Sequence, residues 1–482
     1  MTSIDPSQPI PIYYQLKSLI LEEIARGRYQ PGSRLPTEME LCELYGISRT
    51  PVHRALAELA DEGVVLRQRR RGTFVNPHWV PRRGDGTEMR VVVSEPRLAA
   101  HVAAANLPGV DINVATVDYT DLRRTLIAAV AEGRAPDLAI IDEVWIAEFA
   151  DYGFLLPLDE LDQEWVETEY AADFVPAFVE GRVLRGHVYA VPEEINVAGL
   201  WCNRSMLSAA GLEPPRTWDE LRSAAESTRE LVPGGNYPLV MPGGHVAGET
   251  TTYCLLAVLA SNGCSIIDNG IRLDDSGCVE ALRLLRSFVD DGLMSGDTVT
   301  FEWDRAPQLL GAGRAAMAVG GSYEAATVAA SAGIPLREVW DEFVFVPFPG
   351  GPRGAPATVA GGMVYAIFRQ SADPAKAMHL LRYLVETERL ATRSVGLPTI
   401  PPRKAAIDLI GPSSPFVAET SGLFSTSVIR PGLSSYSMIS TQLQNMLESI
   451  LTGRHRPAAA AERAADVLAA ITGLSVQHSS DL

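Results

Sequence analysis

Lysine is nearly missing. Only Lys17, Lys376 and Lys404 occur in 482 residues, so almost all positive charge is arginine. Chemistry that needs a lysine, such as a Schiff base, has few places to happen. Cysteine is scarce too. The five residues Cys42, Cys202, Cys254, Cys264 and Cys278 are odd in number and lack metal-ligand spacing, which argues against a disulfide framework or a zinc site. Reduced thiols are the simplest expectation. Apolar runs such as "LLAVLA" fall far short of a membrane span. The start "MTSIDPSQPIPIYYQ" lacks the basic and apolar parts of a signal peptide, so a cytoplasmic location is expected. No Walker-type loop or nucleophile elbow is present. The expectation is therefore no enzyme, no cofactor, no metal and no membrane partner.

What is present is an uneven charge. The net value is −18 overall. Residues 1–83 hold 12 basic and 9 acidic side chains, a net of +3, and the rest holds 29 and 50, a net of −21. The first region can approach a polyanion, whereas the second is repelled by one. At 482 residues, more than one hydrophobic core is expected.

In the basic region Leu16, Leu19, Ile20 and Ile24 fall on one helical face after Ile12, and Gly27 with Pro31–Gly32 ends the segment. Thr37 and Glu40 have the spacing of a capping box, and Gly46 suits a left-handed stop. Ser48 can cap a third helix, with Pro51 in its first turn. Two helices separated by "GIS" make a helix-turn-helix. Val52, Ala55, Leu56 and Leu59 face inward, so Arg49, Thr50, His53 and Arg54 face outward, where arginine can pair with a guanine edge in the major groove. "VVLRQRRRGTFV" then reads as two short strands around an arginine-rich tip, a wing beside the reader helix.

The pieces "PGSRLPTE", "YGISRTPVHRAL" and "RRRGTFV" occur in the order and spacing of the winged-helix domain of the GntR family of bacterial transcription regulators, which residues 10–75 resemble. The resemblance implies DNA contacts from Arg34, Arg49, Thr50 and Arg54 and, in the wing, from Arg71, Gly72 and Thr73. It also departs at one place: Met39 stands where many members have an arginine.

Residues 76–88, rich in Pro, Gly and charge, read as a linker. Beyond them "MRVVVSE", "GVDINVATVDY" and "PDLAIID" read as strands alternating with helices, the pattern of an open α/β sheet. The segments "GFLLPLDEL", "VYAVPEEINVAGLWCNRSML", "GAGRAAMAVGGSYE", "VAGGMVYAIF" and "VGLPTIPPRKA" follow one another as in the extracellular solute-binding proteins of carbohydrate ABC transporters, which residues 89–474 resemble. The whole is then multidomain: an α+β winged helix-turn-helix over 1–75, then over 89–482 a two-lobed α/β periplasmic-binding-protein-like (type II) fold. Lobe I takes about 89–193 and 362–412; lobe II takes about 194–361 and 420–474.

The second resemblance implies ligand contacts from Asp142, Trp145, Glu194, Asn196, Trp303, Tyr323, Gly362 and Arg403, with His245 a weaker candidate. Carboxylates, amides and arginine pair with hydroxyls, and aromatic rings pack on a pyranose face. Trp145 and Trp303 fit either a pocket or a core, while Trp165, Trp201 and Trp218 read as core. Together the two resemblances imply a sugar-responsive regulator, in the default case a repressor. Its partners would be operator DNA, a mono- or oligosaccharide and a second copy of the chain. Two alternatives stand beside it: a pyridoxal-dependent aminotransferase-like domain behind the winged helix, and a secreted binding protein.

Overall fold

A computed structural model describes all residues except 1–3, 5–10, 26–27, 62, 69–70, 78–87, 106, 181–182, 397–398 and 478–482. The linker expected at 76–88 lies mostly outside the described residues, as do Gly27 and the wing-tip arginines Arg69 and Arg70.

The amphipathic segments of the basic region form three helices, α1 (Ile12–Ala25), α2 (Glu38–Tyr45) and α3 (Arg49–Asp61). At the start of α2, Thr37 accepts from the Glu40 amide while Glu40 accepts from the Thr37 amide, completing the capping box. Gly46 ends the helix at φ 64°, a conformation that costs glycine little. Strands β1 (Val65–Gln68) and β2 (Gly72–Val75) pair antiparallel, with Val65 opposite Val75 and Gln68 opposite Gly72. Leu16, Ile20, Leu41, Val52, Ala55, Leu56, Leu59, Val65 and Val75 share one core. Each large aliphatic side chain among them contributes roughly 1.5–3 kcal/mol by leaving water. This is the winged helix that the sequence pattern calls for.

By contact density the chain divides into two units. The first comprises Met1–Ile141, Phe149–Asp162 and Tyr365–Leu384; the second comprises Asp142–Glu148, Gln163–Val364 and Val385–Leu482. The winged helix thus belongs to the first unit. Beside it, β3 (Glu88–Val93) pairs in parallel with β4 (Asp111–Thr116) and with β5 (Leu138–Asp142). Helices α4 (Pro96–Ala103) and α5 (Tyr119–Ala131) make the crossovers. Leu122, Leu126 and Val130 form the buried stripe of α5, and every residue of β5 is buried.

In the second unit the strand Asn196–Asn203 is buried at all eight positions. It pairs antiparallel with Met317–Gly321, with Phe343–Val346 and with Thr358–Gly361. Leu239–Val240 and Ser427–Ile429 extend this sheet in parallel. Gly199 is required by packing, since a Cβ there would run into the Val346 carbonyl and the Phe345 ring. Helices Glu249–Ala260, Ser276–Asp290, Tyr436–Leu451 and Pro457–Thr472 enclose the core. Trp218 is inside it and donates to Ser261, while Trp201 is buried outside this core, stacked on Trp340, with its indole N–H donated to the Gly321 carbonyl. The expectation of reduced thiols needs one correction. Cys264 and Cys278 form a disulfide that ties the turn after Glu249–Ala260 to the helix Ser276–Asp290, leaving Cys42, Cys202 and Cys254 as thiols. Fourteen residues of separation conceal how close this fold brings the pair.

Candidate functional site

Two sets of side chains carry the chemistry, one on the winged helix and one in the second unit. On the winged helix, Glu38 in the first turn of α2 collects three cations. Arg49 Nε lies 2.9 Å from one carboxylate oxygen; His53 Nδ1 at 2.9 Å and Arg67 Nη2 at 2.8 Å lie on the other. The hydrogen bond with His53, then that with Arg49, holds the Glu38 carboxyl below the usual carboxylate range. The start of the reader helix and the wing are thereby joined through one acid. Arg49 and His53 remain 80% and 61% exposed, free to exchange Glu38 for a phosphate or base edge. Arg54 bonds Glu58 at 3.2 Å and lies 3.7 Å over the Tyr13 ring.

Arg34 runs beside β2, bridging to Phe74, and its Nε stands 2.8 Å from where a Cβ on Gly72 would be. Gly72, at φ 116°, is therefore favoured for its backbone freedom, and a larger residue there would also displace the Arg34 side chain. Thr50 and Arg71 are exposed and Thr73 is half-buried. Met39 is 71% exposed, an apolar side chain in the place of the family arginine.

In the second unit a buried arginine reverses the pattern. Arg430 follows the strand Ser427–Ile429 and is held by Asp142 at 3.1 Å, Glu143 at 3.1 Å and Glu249 at 2.9 Å. Its guanidinium also lies 5.0 Å over the Tyr253 ring. Burial opposes the charge, yet Asp142 and Glu249 push the guanidinium pKa further up. Burial raises the Glu249 carboxyl above its ordinary value, against the pull of Arg430. Glu249 also accepts from the Tyr436 hydroxyl at 2.7 Å and the Ser440 hydroxyl at 2.6 Å.

Asp142 and Glu143 come at the carboxyl end of β5, where Asp142 also caps the following turn by accepting from the Val144 amide. Trp145 is buried in that same turn. The Glu143 amide donates to the Gly362 carbonyl at 3.2 Å. A Cβ on Gly362 would strike the Glu194 carbonyl, so only glycine lets these segments meet. The Tyr253 hydroxyl donates to the Asn196 carbonyl at 2.8 Å, and the Asn196 amide donates to Glu194 at 2.9 Å. Glu194 is in turn paired with Arg393 at 3.1 Å, and Arg393 contacts Glu193 as well. Tyr323 reaches Thr250 Oγ1 at 3.3 Å, one residue from Glu249.

Of the sequence candidates, Asp142, Trp145, Glu194, Asn196, Gly362 and Tyr323 thus gather around Arg430 and Glu249. Three others lie elsewhere. Arg403 is engaged with Asp173 at 2.6 Å, Glu169 at 3.7 Å and the Val385 carbonyl, and it lies over the Phe174 ring. Its donors hold a different set of segments together. Trp303 is 43% exposed just ahead of the helix Arg305–Gly311. His245 pairs with Glu448 at 2.7 Å and keeps that acid below its usual range. Arg430, Glu249, Tyr253 and Tyr436 escaped the sequence reading, since nothing in "SVIRPG" or "HVAGETTTY" marks a site.

The arrangement suits a ligand that both donates and accepts hydrogen bonds. Among the described residues, the buried Asn196 Oδ1 and the buried Arg430 Nε have no hydrogen-bond partner. Buried polar atoms rarely stay unpaired. No group of three His, Cys, Asp or Glu able to hold a metal, and no helix long and apolar enough to cross a membrane, occurs among the described residues.

Comparison with known proteins agrees with both halves. Residues 12–75 match the family described as bacterial regulatory proteins, gntR family, and residues 96–389 match the bacterial extracellular solute-binding protein family. A putative binding protein of Brucella abortus, BAB2_0491, is 25% identical over 366 residues, covering 75% of this chain and 85% of that protein. The HTH-type transcriptional repressor NagR of Bacillus subtilis is 45% identical over 74 residues, covering 15% of this chain and 30% of the repressor. Among solved structures, maltose-bound MalE3 of T. maritima superposes with a TM-score of 0.70 at 22% identity, covering 79% of this chain and 99% of that one. The likeness establishes the two-lobed fold and sets aside the aminotransferase-like alternative. The chain belongs to the bacterial extracellular solute-binding protein family and carries a gntR-family helix-turn-helix at its N-terminal end.

Proposed function

We propose that this protein is a sugar-responsive transcription regulator. Its winged helix binds operator DNA through Arg34, Arg49, Thr50, His53, Arg54, Arg71, Gly72 and Thr73. Its solute-binding fold takes a mono- or oligosaccharide, with Asp142, Trp145, Glu194, Asn196, Tyr323 and Gly362 near it. The observation that carries the reading is the pair of orphan atoms beside the Arg430 cluster. Asn196 Oδ1 wants a donor and Arg430 Nε wants an acceptor, and a hydroxyl group is both. A helix-turn-helix on the same chain points to work beside DNA, hence in the cytoplasm, and away from the secreted alternative. Trp303 and Arg403 remain weaker members of the ligand set, because neither belongs to the network around Arg430.

Regulation follows from differential affinity. A sugar bound more tightly by one arrangement of the lobes shifts the chain towards it. In a homodimer reading two half-sites, such a shift changes how well both heads fit the helical repeat of DNA. Coupling of about 1–3 kcal/mol would alter operator affinity roughly 5–150-fold. Release on sugar binding, as in a repressor of carbohydrate-use genes, is the direction proposed. NagR, by its name a repressor, supports that sign for the head.

The test is a thermal-shift screen of the full chain against maltose, other disaccharides and common monosaccharides. A ligand that binds only the folded state raises Tm. We expect at least one sugar to do so in the wild type and to lose its effect in Asn196→Ala. No response to any sugar would overturn the reading.

A further inference from the structure

Within the first unit, helix α1 is buried on more than the face that the winged-helix core requires. Leu16 and Ile20 serve that core, yet Tyr14, Gln15 and Lys17 are also buried, at 6%, 0% and 5% exposure. For Tyr14 the reason lies outside the winged helix. The Gln370 side-chain amide donates to the Tyr14 hydroxyl and, at 2.9 Å, to the Val130 carbonyl at the end of α5. The Gln370 carbonyl oxygen accepts from the Ala135 amide at 3.1 Å. One glutamine therefore fastens the first helix of the head to the solute-binding part of the same unit.

On the head side the contact leads to the reader helix. Tyr13, next in sequence and edge-on to Tyr14, carries the Arg54 guanidinium 3.7 Å over its ring. Lys17 and Arg54 share Glu58, at 3.3 Å and 3.2 Å. On the other side the contact leads back to the polar cluster by two neighbouring strands. Gln370 lies eight residues beyond Gly362, along the strand Met363–Ile367. The turn that holds Gln370 is pinned to Asp137, at the foot of β5. Asp137 accepts from Ser371 Oγ at 2.7 Å and the Ala372 amide at 2.9 Å, and its carbonyl accepts from the Phe368 amide at 3.1 Å. The far end of β5 is Asp142, a partner of Arg430. Five strand residues span about 15 Å, with β5 and Met363–Ile367 adjacent in one sheet.

We propose that Gln370 and Tyr14 are positioning residues that couple the Arg430 cluster to the DNA-reading head. The pinned turn at 368–372 moves with the two strands, and the Gln370–Tyr14 bond makes α1, and through Tyr13 the Arg54 guanidinium, move with the turn. This rests on the sugar-sensing reading above and adds the path by which the sugar is felt. A hydrogen-bonded clasp suits the task, because a hydrogen bond is directional and fixes the orientation of the helix that it holds.

The experiment uses full-length wild type, Tyr14→Phe, which removes one hydroxyl, and Gln370→Ala. Operator Kd is measured on a duplex selected from random DNA with the wild type, without sugar and with saturating maltose or whichever panel sugar raises Tm. Both variants should weaken sugar-free operator binding about 5-fold, because the head loses its fixed orientation. The ratio of the two Kd values should fall to near 1, while the sugar-dependent rise in Tm persists; a purely structural role would leave that ratio unchanged. A wild-type ratio in both variants overturns the proposal. If no sugar of the panel binds the wild type, the sensing reading fails instead. The sugar-free arm then decides the clasp, and Kd values within about twofold of wild type would overturn it.

Discussion

The two polar clusters are inversions of one another. On the winged helix one acid, Glu38, holds three basic side chains; in the second unit one base, Arg430, holds three acids. Exposure separates them. The cations around Glu38 reach solvent, so their pairing is weak and replaceable, which suits residues proposed to trade a carboxylate for DNA. Arg430 is 4% exposed at its side chain. Its carboxylates are almost as buried, so losing the shared cation would leave their charge uncompensated. Similar groups make an exchangeable surface in one place and a fixed frame in the other.

The largest effect should come from Arg430→Met. It strips the shared cation from Asp142, Glu143 and Glu249, and breaking a buried pair costs about 3–5 kcal/mol. Urea unfolding should show this loss in the second unit; a change under about 1 kcal/mol would mean the frame is dispensable. Arg49→Ala comes next. It should weaken operator binding by about 1–3 kcal/mol and leave the sugar-dependent Tm rise intact; parallel loss of both would point to misfolding.

The smallest effect sharpens the contrast through pH. Glu38 is held below the usual carboxylate pKa, so its contribution to stability is present above about 4.5 and fades as pH falls through the lowered value. Glu249 is raised, so its contribution is complete below about 4.5 and fades as pH rises through the raised value. Glu38→Gln should therefore flatten the acid limb of a Tm–pH curve and Glu249→Gln the alkaline limb. Equal curves for both variants would erase the distinction.

Legibility in the sequence followed range. The Thr37–Glu40 box and the Gly46 stop arise from contacts a few residues apart, and β3, β4, α5 and β5 stand where their own local patterns of apolar residues predict. Thr217 and Glu220 have the same capping-box spacing, but only half of the box forms. Thr217 accepts from the Glu220 amide, but the Glu220 carboxylate returns to the Arg216 amide at 2.7 Å. Arg403 shows the limit more sharply. An arginine after two prolines has the chemistry for a ligand contact, yet here Asp173 and Phe174, some 230 positions earlier, claim it.

By itself the sequence determined that a basic helix-turn-helix with a wing precedes an acidic region of alternating strands and helices, because caps, periodicity and turn residues act locally and need no partner; the two lobes of that region were implied by its resemblance to solute-binding proteins. Only the tertiary structure decided that Arg430 meets Asp142 across 288 positions, that Cys264 bonds Cys278, and that Gln370 fastens onto Tyr14 across 356. Such pairings depend on which surfaces the sheets and helices bring together after chain entropy has been overcome, and no local spacing encodes them.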